Sequence, residues 1–169
     1  MEILNMKGTG ILIFLMVLAA GCSTGFSRLG ESPQVIAQRY GPPVSTWALP
    51  GFTKCVYEKQ SFAITIFYQN GVSVLESFAR RGLDQATARQ LAVVVATQPI
   101  ACPSPDQESQ LREAAGITSK DDVFWVWTTP TQPMSAAFNP VECTIAFFSA
   151  PSMYATIHQA LMSEPLAGS

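Results

Sequence analysis

The sequence predicts an α+β domain in which antiparallel β-meanders pack against helices. Asn70-Gly71 lies between two β-rich runs, and this dipeptide is a strong hairpin signal because both of its residues tolerate positive φ. A second group of β-rich runs begins near residue 123, and segments with helical periodicity flank both groups. Because the strands follow one another and the helices are segregated from them, we expect one antiparallel sheet covered by helices.

The first half of the domain is expected to contain a helix, three strands and a second helix. Ser32-Pro33 favours a helix start, and Gly41-Pro42 favours its end. The second helix begins after Asp84, which can cap it, and continues to about Thr97. The predicted strands of this half span residues 54–59, 62–69 and 72–79.

A two-residue turn at Asn70-Gly71 also fixes the expected register of the hairpin. It would place Ile66 opposite Leu75 and Thr65 opposite Glu76. Since side chains alternate between the two faces of a strand, Glu76 is expected to lie away from the core. The residues assigned to the core face are Phe62, Ile64, Ile66, Tyr68 and Leu75.

The second half is expected to repeat the order of the first. Residues 98–110 are rich in Pro, Ser and Gln and are interpreted as a loop, followed by a short helix at 111–115. Strands are predicted at 123–128, 134–138 and 141–148, and a final helix from Pro151 or Ser152 to about Ser163. The domain would then consist of two similar αβββ halves, at about 32–97 and 111–163.

The amino-terminal segment has the layout of a secretory signal. Lys7 is followed by the apolar run Ile11 to Leu18, which is too short to span a bilayer. Leu18-Ala19-Ala20-Gly21-Cys22 resembles the lipobox of bacterial lipoproteins. The resemblance implies that residues 1–21 are removed and that Cys22 receives a thioether-linked diacylglycerol and further acylation.

This resemblance sets the expected location of the chain. Ser23, which follows the modified cysteine, favours the outer membrane by analogy with enterobacterial lipoproteins, so we expect a lipid-anchored domain on the periplasmic side. Two or more acyl chains hold a protein firmly at a membrane, whereas one is marginal. Residues 22–31 would form a lipidated tether, 32–163 a single domain and 164–169 a tail.

The composition excludes several classes of function. The net charge is −2 and only 13% of residues are charged, so no basic surface for nucleic acid is expected. A single histidine, His158, and scattered carboxylates match no common metal site, and we predict no metal, cofactor or catalytic residue. The enzymatic alternative is a hydrolase with an unrecognised site, for example His158 acting with Cys102 or Cys143.

Three cysteines remain once Cys22 is assigned to the anchor. In an exported chain one disulfide and one free thiol are expected, and we predict Cys55–Cys143, with Cys102 as the alternative partner. Aromatic residues are enriched at protein interfaces. The candidate partner-contact aromatics are Trp47, Trp125 and Trp127.

Three fragments resemble a group of uncharacterised bacterial exported proteins, which are often lipoproteins. They are Gln38 to Ser45, which contains Arg-Tyr-Gly-Pro-Pro-Val, the hairpin from Phe62 to Phe78, and the helix from Asp84 to Thr97. The opening order of elements is also similar to BamE-type small outer-membrane lipoproteins and to the β-lactamase-inhibitor fold. These resemblances imply no activity. The expected role is a non-catalytic binding or scaffolding module of the cell envelope with an envelope protein as partner, the other alternative being a purely structural surface lipoprotein.

Overall fold

A seven-stranded antiparallel sheet forms the centre of the computed structural model, which describes residues 29–96, 99–128 and 133–162. The strands are β1 Ser45–Leu49, β2 Phe52–Lys59, β3 Phe62–Gln69, β4 Val72–Ala79, β5 Val123–Thr128, β6 Pro133–Asn139 and β7 Thr144–Phe148. Their spatial order is β1-β2-β3-β4-β7-β6-β5. The described helices are α1 Pro33–Tyr40, α2 Gln85–Ala96, α3 Pro105–Ala115 and α4 Pro151–Met162. The α+β class and the meander organisation are therefore confirmed.

Helices cover both faces of the sheet. The first face packs against α1 and α2, and the main core lies there, around Ile36, Phe78, Leu91 and Phe147. The second face packs against α3 and α4 through two smaller apolar clusters. The helices of the amino-terminal half thus lie on one face and those of the carboxy-terminal half on the other. The first half has four strands between its helices and the second has three, so the expected repeat of two αβββ halves holds in neither strand number nor packing.

Local capping interactions explain where α2 begins and where α1 ends. The Thr87 backbone N–H donates to Asp84 Oδ1 at 2.7 Å, and this bond lowers the pKa of the Asp84 carboxyl. Gly41, with φ +89°, follows α1 and its N–H donates to the Ala37 carbonyl.

The interpretation of residues 98–110 as a loop is wrong for its second half, because α3 begins at Pro105. Ser104 and Gln107 form a reciprocal capping box, and Pro105 occupies the first turn, where its missing N–H costs nothing. The Pro, Ser and Gln content that suggested a loop is therefore the start signal of a helix.

The predicted register of the β3–β4 hairpin is wrong beyond its first two pairs. Gln69 pairs with Val72 and Tyr68 with Ser73, but Phe67 pairs with Leu75, so Val74 is an extra residue in β4. This β-bulge shifts every later residue of β4 by one position. As a result Leu75 joins the second-face cluster and Glu76 is buried on the first face, the reverse of the prediction.

Two other segments differ from the sequence prediction. Strand β1 was not predicted, and it lies between the helix-ending prolines and Pro50-Gly51. Strand β7 begins at Thr144 instead of residue 141, because Asn139 Oδ1 accepts from the N–H groups of Val141 and Glu142 in a turn. Cys143 ends that turn with φ +52°.

The folded domain begins earlier than the predicted boundary at residue 32. The Gly30 N–H donates to the Ser73 carbonyl at 2.7 Å, and the Ser73 N–H donates to the Glu31 carbonyl at 2.9 Å. Leu29 packs against the main core. The signal segment, Cys22 and the tail lie outside the described residues. Among the described helices, none is both long enough and apolar enough to cross a bilayer.

Candidate functional site

A buried polar cluster lies on the first face beneath α1. The Tyr40 hydroxyl donates to Glu76 Oε1 at 2.6 Å, and the hydroxyls of Tyr57 and Tyr68 are hydrogen-bonded at 2.9 Å. Burial raises the pKa of Tyr68, and its bond with Tyr57 raises it further. Burial also raises the pKa of Tyr57. Glu76 is only 2% exposed, so this cluster is shielded from solvent, and its hydrogen bonds connect parts of the core.

Arg39 connects this cluster to the start of the domain. Its Nη2 donates to Glu31 Oε1 at 2.7 Å, and its guanidinium lies 5.5 Å from the centroid of the Tyr40 ring. Burial would lower the pKa of Arg39, but the bond to Glu31 and the negative charges nearby outweigh it and raise the pKa. The Arg39-Tyr40-Gly41 segment therefore has a structural role. Tyr40 bonds the end of α1 to β4, and Arg39 bonds it to Glu31, whose carbonyl accepts from the Ser73 N–H of β4.

A groove on the second face, between α4 and the sheet, is open to a partner. Its floor is apolar and its rim carries hydroxyls and charges of both signs. The cavity measures about 250 Å³. We call it the second-face groove, and its lining includes Lys54, Thr65, Phe67, Leu75, Ser77, Glu142, Thr144, Ile157, His158 and Leu161.

Trp47 lies beside this groove on the edge strand β1. It pairs in register with Lys54 of β2, and Lys54 Nζ lies 4.9 Å from the centroid of its ring. Trp47 is 43% exposed, whereas Trp125 and Trp127 are 2% and 5% exposed and belong to the main core. Burial thus removes Trp125 and Trp127 from the predicted set of contact aromatics, and Trp47 is left.

The predicted Cys55–Cys143 disulfide is wrong, because all three described thiols are free. Cys55 is buried on β2, with Sγ 3.5 Å from Thr46 Oγ1. Cys143 precedes β7, and strands β3 and β4 separate β2 from β7. Three spacings of ~4.8 Å put about 14 Å between these strands, far beyond the Cα separation of a disulfide. The alternative partner, Cys102, is exposed before α3.

The sole histidine, His158, and Cys143 lie on opposite faces of the sheet. His158 lines the second-face groove from α4, while Cys143 packs partly against the first-face core. Within residues 29–96, 99–128 and 133–162, no group of three or more His, Cys, Asp or Glu side chains is arranged to hold a metal ion.

Sequence reasoning missed two features of this region. Glu76 was assigned to the wrong face because a β-bulge leaves no clear trace in hydrophobic alternation. The tyrosine pair left a clearer signal, since Tyr68 is on the predicted core face and a buried phenol needs a polar partner. The groove depends on where α4 crosses the sheet, and this requires the strand order.

No protein-family model and no curated protein matches this chain. Among solved structures, a cysteine-rich secretory protein from Staphylococcus aureus subsp. aureus Mu50 is similar at 9% identity, over 72% of this chain and 44% of that one, with a TM-score of 0.37. The chain thus spans less than half the length of that structure. A likeness this weak carries no inference about fold or function.

Proposed function

We propose that this chain is a lipid-anchored, non-catalytic domain of the bacterial cell envelope that binds a partner protein through Trp47 and the second-face groove. The anchor rests on the Leu18–Cys22 pattern, and the binding role rests on one observation. That observation is an exposed tryptophan, held in place by Lys54, beside a groove with an apolar floor.

The size of the groove favours a protein partner over a small substrate. Its volume of about 250 Å³ is below the range of roughly 300–1,000 Å³ that is usual for small-molecule sites. A cavity of this size suits one apolar side chain from an interacting segment. Trp47 then supplies the rigid aromatic contact that commonly dominates binding energy at interfaces.

The chemistry of the lining narrows the partner further. Phe67, Leu75 and Ile157 form an apolar floor, whereas Lys54 and Glu142 bring opposite charges to the rim. A segment with a large net charge of either sign would be repelled by one of these two rim residues, whereas neutral polar residues beside an inserted apolar one can hydrogen-bond to both. The occupant we propose is therefore a weakly charged segment of another envelope protein.

Cross-linking in intact cells tests the binding role. A photoreactive amino acid replaces Thr65 at the groove, and in a control chain it replaces Lys120, which lies outside the groove. We expect one discrete adduct from position 65 only. Trp47→Ala should reduce this adduct at least tenfold, and Val141→Ala, a change at another exposed apolar residue, should not.

The anchor is tested separately by metabolic labelling with a fatty-acid analogue. The wild-type chain should incorporate the label and Cys22→Ala should not. A labelled chain that gives no adduct from position 65 would reject the binding role and leave a purely structural lipoprotein. An unlabelled wild-type chain would reject the anchor.

A further inference from the structure

The chain joins the folded domain at one defined end of the sheet. Gly30 and Glu31 are hydrogen-bonded to Ser73, the second residue of β4, and the Ser73 hydroxyl accepts from the Glu31 N–H at 3.1 Å. Ser73 is next to Val72, which follows the Asn70-Gly71 turn. We call this side of the sheet the tether end, and the opposite side the distal end.

The described connections at the tether end carry no charged residue. Because all neighbouring strands are antiparallel, the β1–β2 turn, the β3–β4 turn and the β7–α4 connection all lie there. Their sequences are Pro50-Gly51, Asn70-Gly71 and Ser149-Ala150. Glu31, which enters beside them, is paired with Arg39.

The connections at the distal end are charged. The β2–β3 turn follows Glu58-Lys59, the β4–α2 connection contains Arg80, Arg81 and Asp84, and the β6–β7 turn contains Glu142. Lys120 to Asp122 precede β5 at the same end. Among these connections, charge is therefore segregated along the strand direction, although the chain as a whole has a net charge of only −2.

We infer that the tether end is a membrane-docking surface, seated on the headgroup layer of the phospholipid bilayer that holds Cys22. This inference rests on the proposed lipid anchor. Between Cys22 and Leu29 an extended chain reaches at most about 25 Å, which is close to the length of one eight-residue strand of this sheet. The anchor therefore keeps the end that it enters nearest to the bilayer.

The composition of the tether end suits this contact. Val72 is 40% exposed there, and a neutral, partly apolar surface approaches lipid without the cost of removing water from charged groups. At the distal end, contact with lipid would require the desolvation of several charged side chains. Docking in this sense leaves Glu142 and the adjoining rim of the second-face groove directed away from the membrane.

The test measures which end lies near lipid in the full, lipidated chain. A fluorescent amino acid replaces Val72 at the tether end or Val141 at the distal end, two exposed valines that form a matched pair. Each protein is reconstituted into vesicles of phosphatidylethanolamine and phosphatidylglycerol that contain a headgroup-labelled quencher lipid. We expect at least threefold stronger quenching at position 72 than at position 141.

A second matched pair, Thr53 at the tether end and Gln60 at the distal end, guards against a local effect of one substitution. Mass spectrometry and vesicle flotation are run on every chain. A lipidated, vesicle-bound chain that is quenched equally at both ends, or more strongly at the distal end, overturns the inference alone. A chain that carries no lipid overturns the proposed anchor and the inference with it.

Discussion

Tyr40 donates a hydrogen bond of 2.6 Å to Glu76, a residue 36 positions further along the chain and buried in the middle of the sheet. This bond fixes the last residue of α1 against the central strand β4. The bond is short and one partner is a carboxyl group, features of the stronger class of hydrogen bonds in proteins.

Removing the donor should destabilise the fold. We expect Tyr40→Phe to lower the free energy of unfolding by about 1.5–3 kcal/mol, because Glu76 would lose a buried partner. The measurement is urea denaturation followed by circular dichroism. The matched control is Tyr154→Phe, at a half-buried tyrosine on α4, and equal losses in both variants would contradict the assignment.

The tyrosine pair beneath α1 predicts a loss of stability in alkali. The pKa values of Tyr57 and Tyr68 are raised in the folded chain, so above about pH 10 the unfolded chain releases protons that the folded chain retains. The free energy of unfolding should then fall by up to about 1.4 kcal/mol per pH unit for each tyrosine.

Comparison of the wild type with Tyr68→Phe between pH 8 and 11 checks this expectation. The stability contributed by Tyr68 is fully present below pH 10 and is lost as the pH rises, so the variant should show a shallower decline. Lysine titration is common to both proteins and cancels in the difference. Parallel pH profiles would refute the prediction.

The cap of α2 predicts the effect of a single substitution on the free energy of unfolding. Asp84→Ala should lower the free energy of unfolding by about 1 kcal/mol, since the Thr87 N–H loses its acceptor. Asp84→Asn keeps an oxygen in place and should cost only a fraction of that. Because the pKa of Asp84 is lowered, the wild-type advantage is present above about pH 4 and is lost as the pH falls.

The β-bulge predicts that this hairpin tolerates the loss of one residue but not the gain of one. Deleting Val74 would remove the extra residue and leave a regular hairpin, in which Leu75 still pairs with Phe67 and Glu76 with Ile66. We therefore expect the deletion variant to keep cooperative unfolding, as measured by near-ultraviolet circular dichroism. Inserting one alanine after Glu76 would turn Phe78 away from the first-face core and should abolish it. Loss of cooperative unfolding in the deletion variant would argue against this register.

The free thiols predict a graded reactivity. Cys102 is exposed and should react rapidly with a maleimide in the native state, whereas Cys55 is buried and should react only after unfolding. Cys143 should fall between them. Intact mass measured with and without reductant should be the same, and a loss of two hydrogens without reductant would contradict the free-thiol assignment.

The sequence predicted the elements with strong local signals and failed where long-range geometry decides. Asn70-Gly71 correctly marked the hairpin, but the extra residue at Val74 leaves no clear trace in the hydrophobic alternation of β4. The helix that begins at Pro105 has a capping box in its sequence, Ser104 with Gln107, but the same Pro, Ser and Gln residues are also common in loops, so composition alone predicts the wrong structure. The disulfide prediction failed because strand order, which separates Cys55 from Cys143, cannot be read from alternation alone.

The pairing of β4 with β7 has a consequence for how the chain acquires its fold. Until residues 144–148 have emerged, Leu75 to Ala79 have no neighbour on one side, and their backbone amides and carbonyls stay unbonded along that side. In a polypeptide that ends at Ala96, this edge of β4 would stay unpaired and exposed. The amino-terminal half should therefore aggregate when it is produced alone. In the full chain, β7 of the carboxy-terminal half covers this edge and prevents such association.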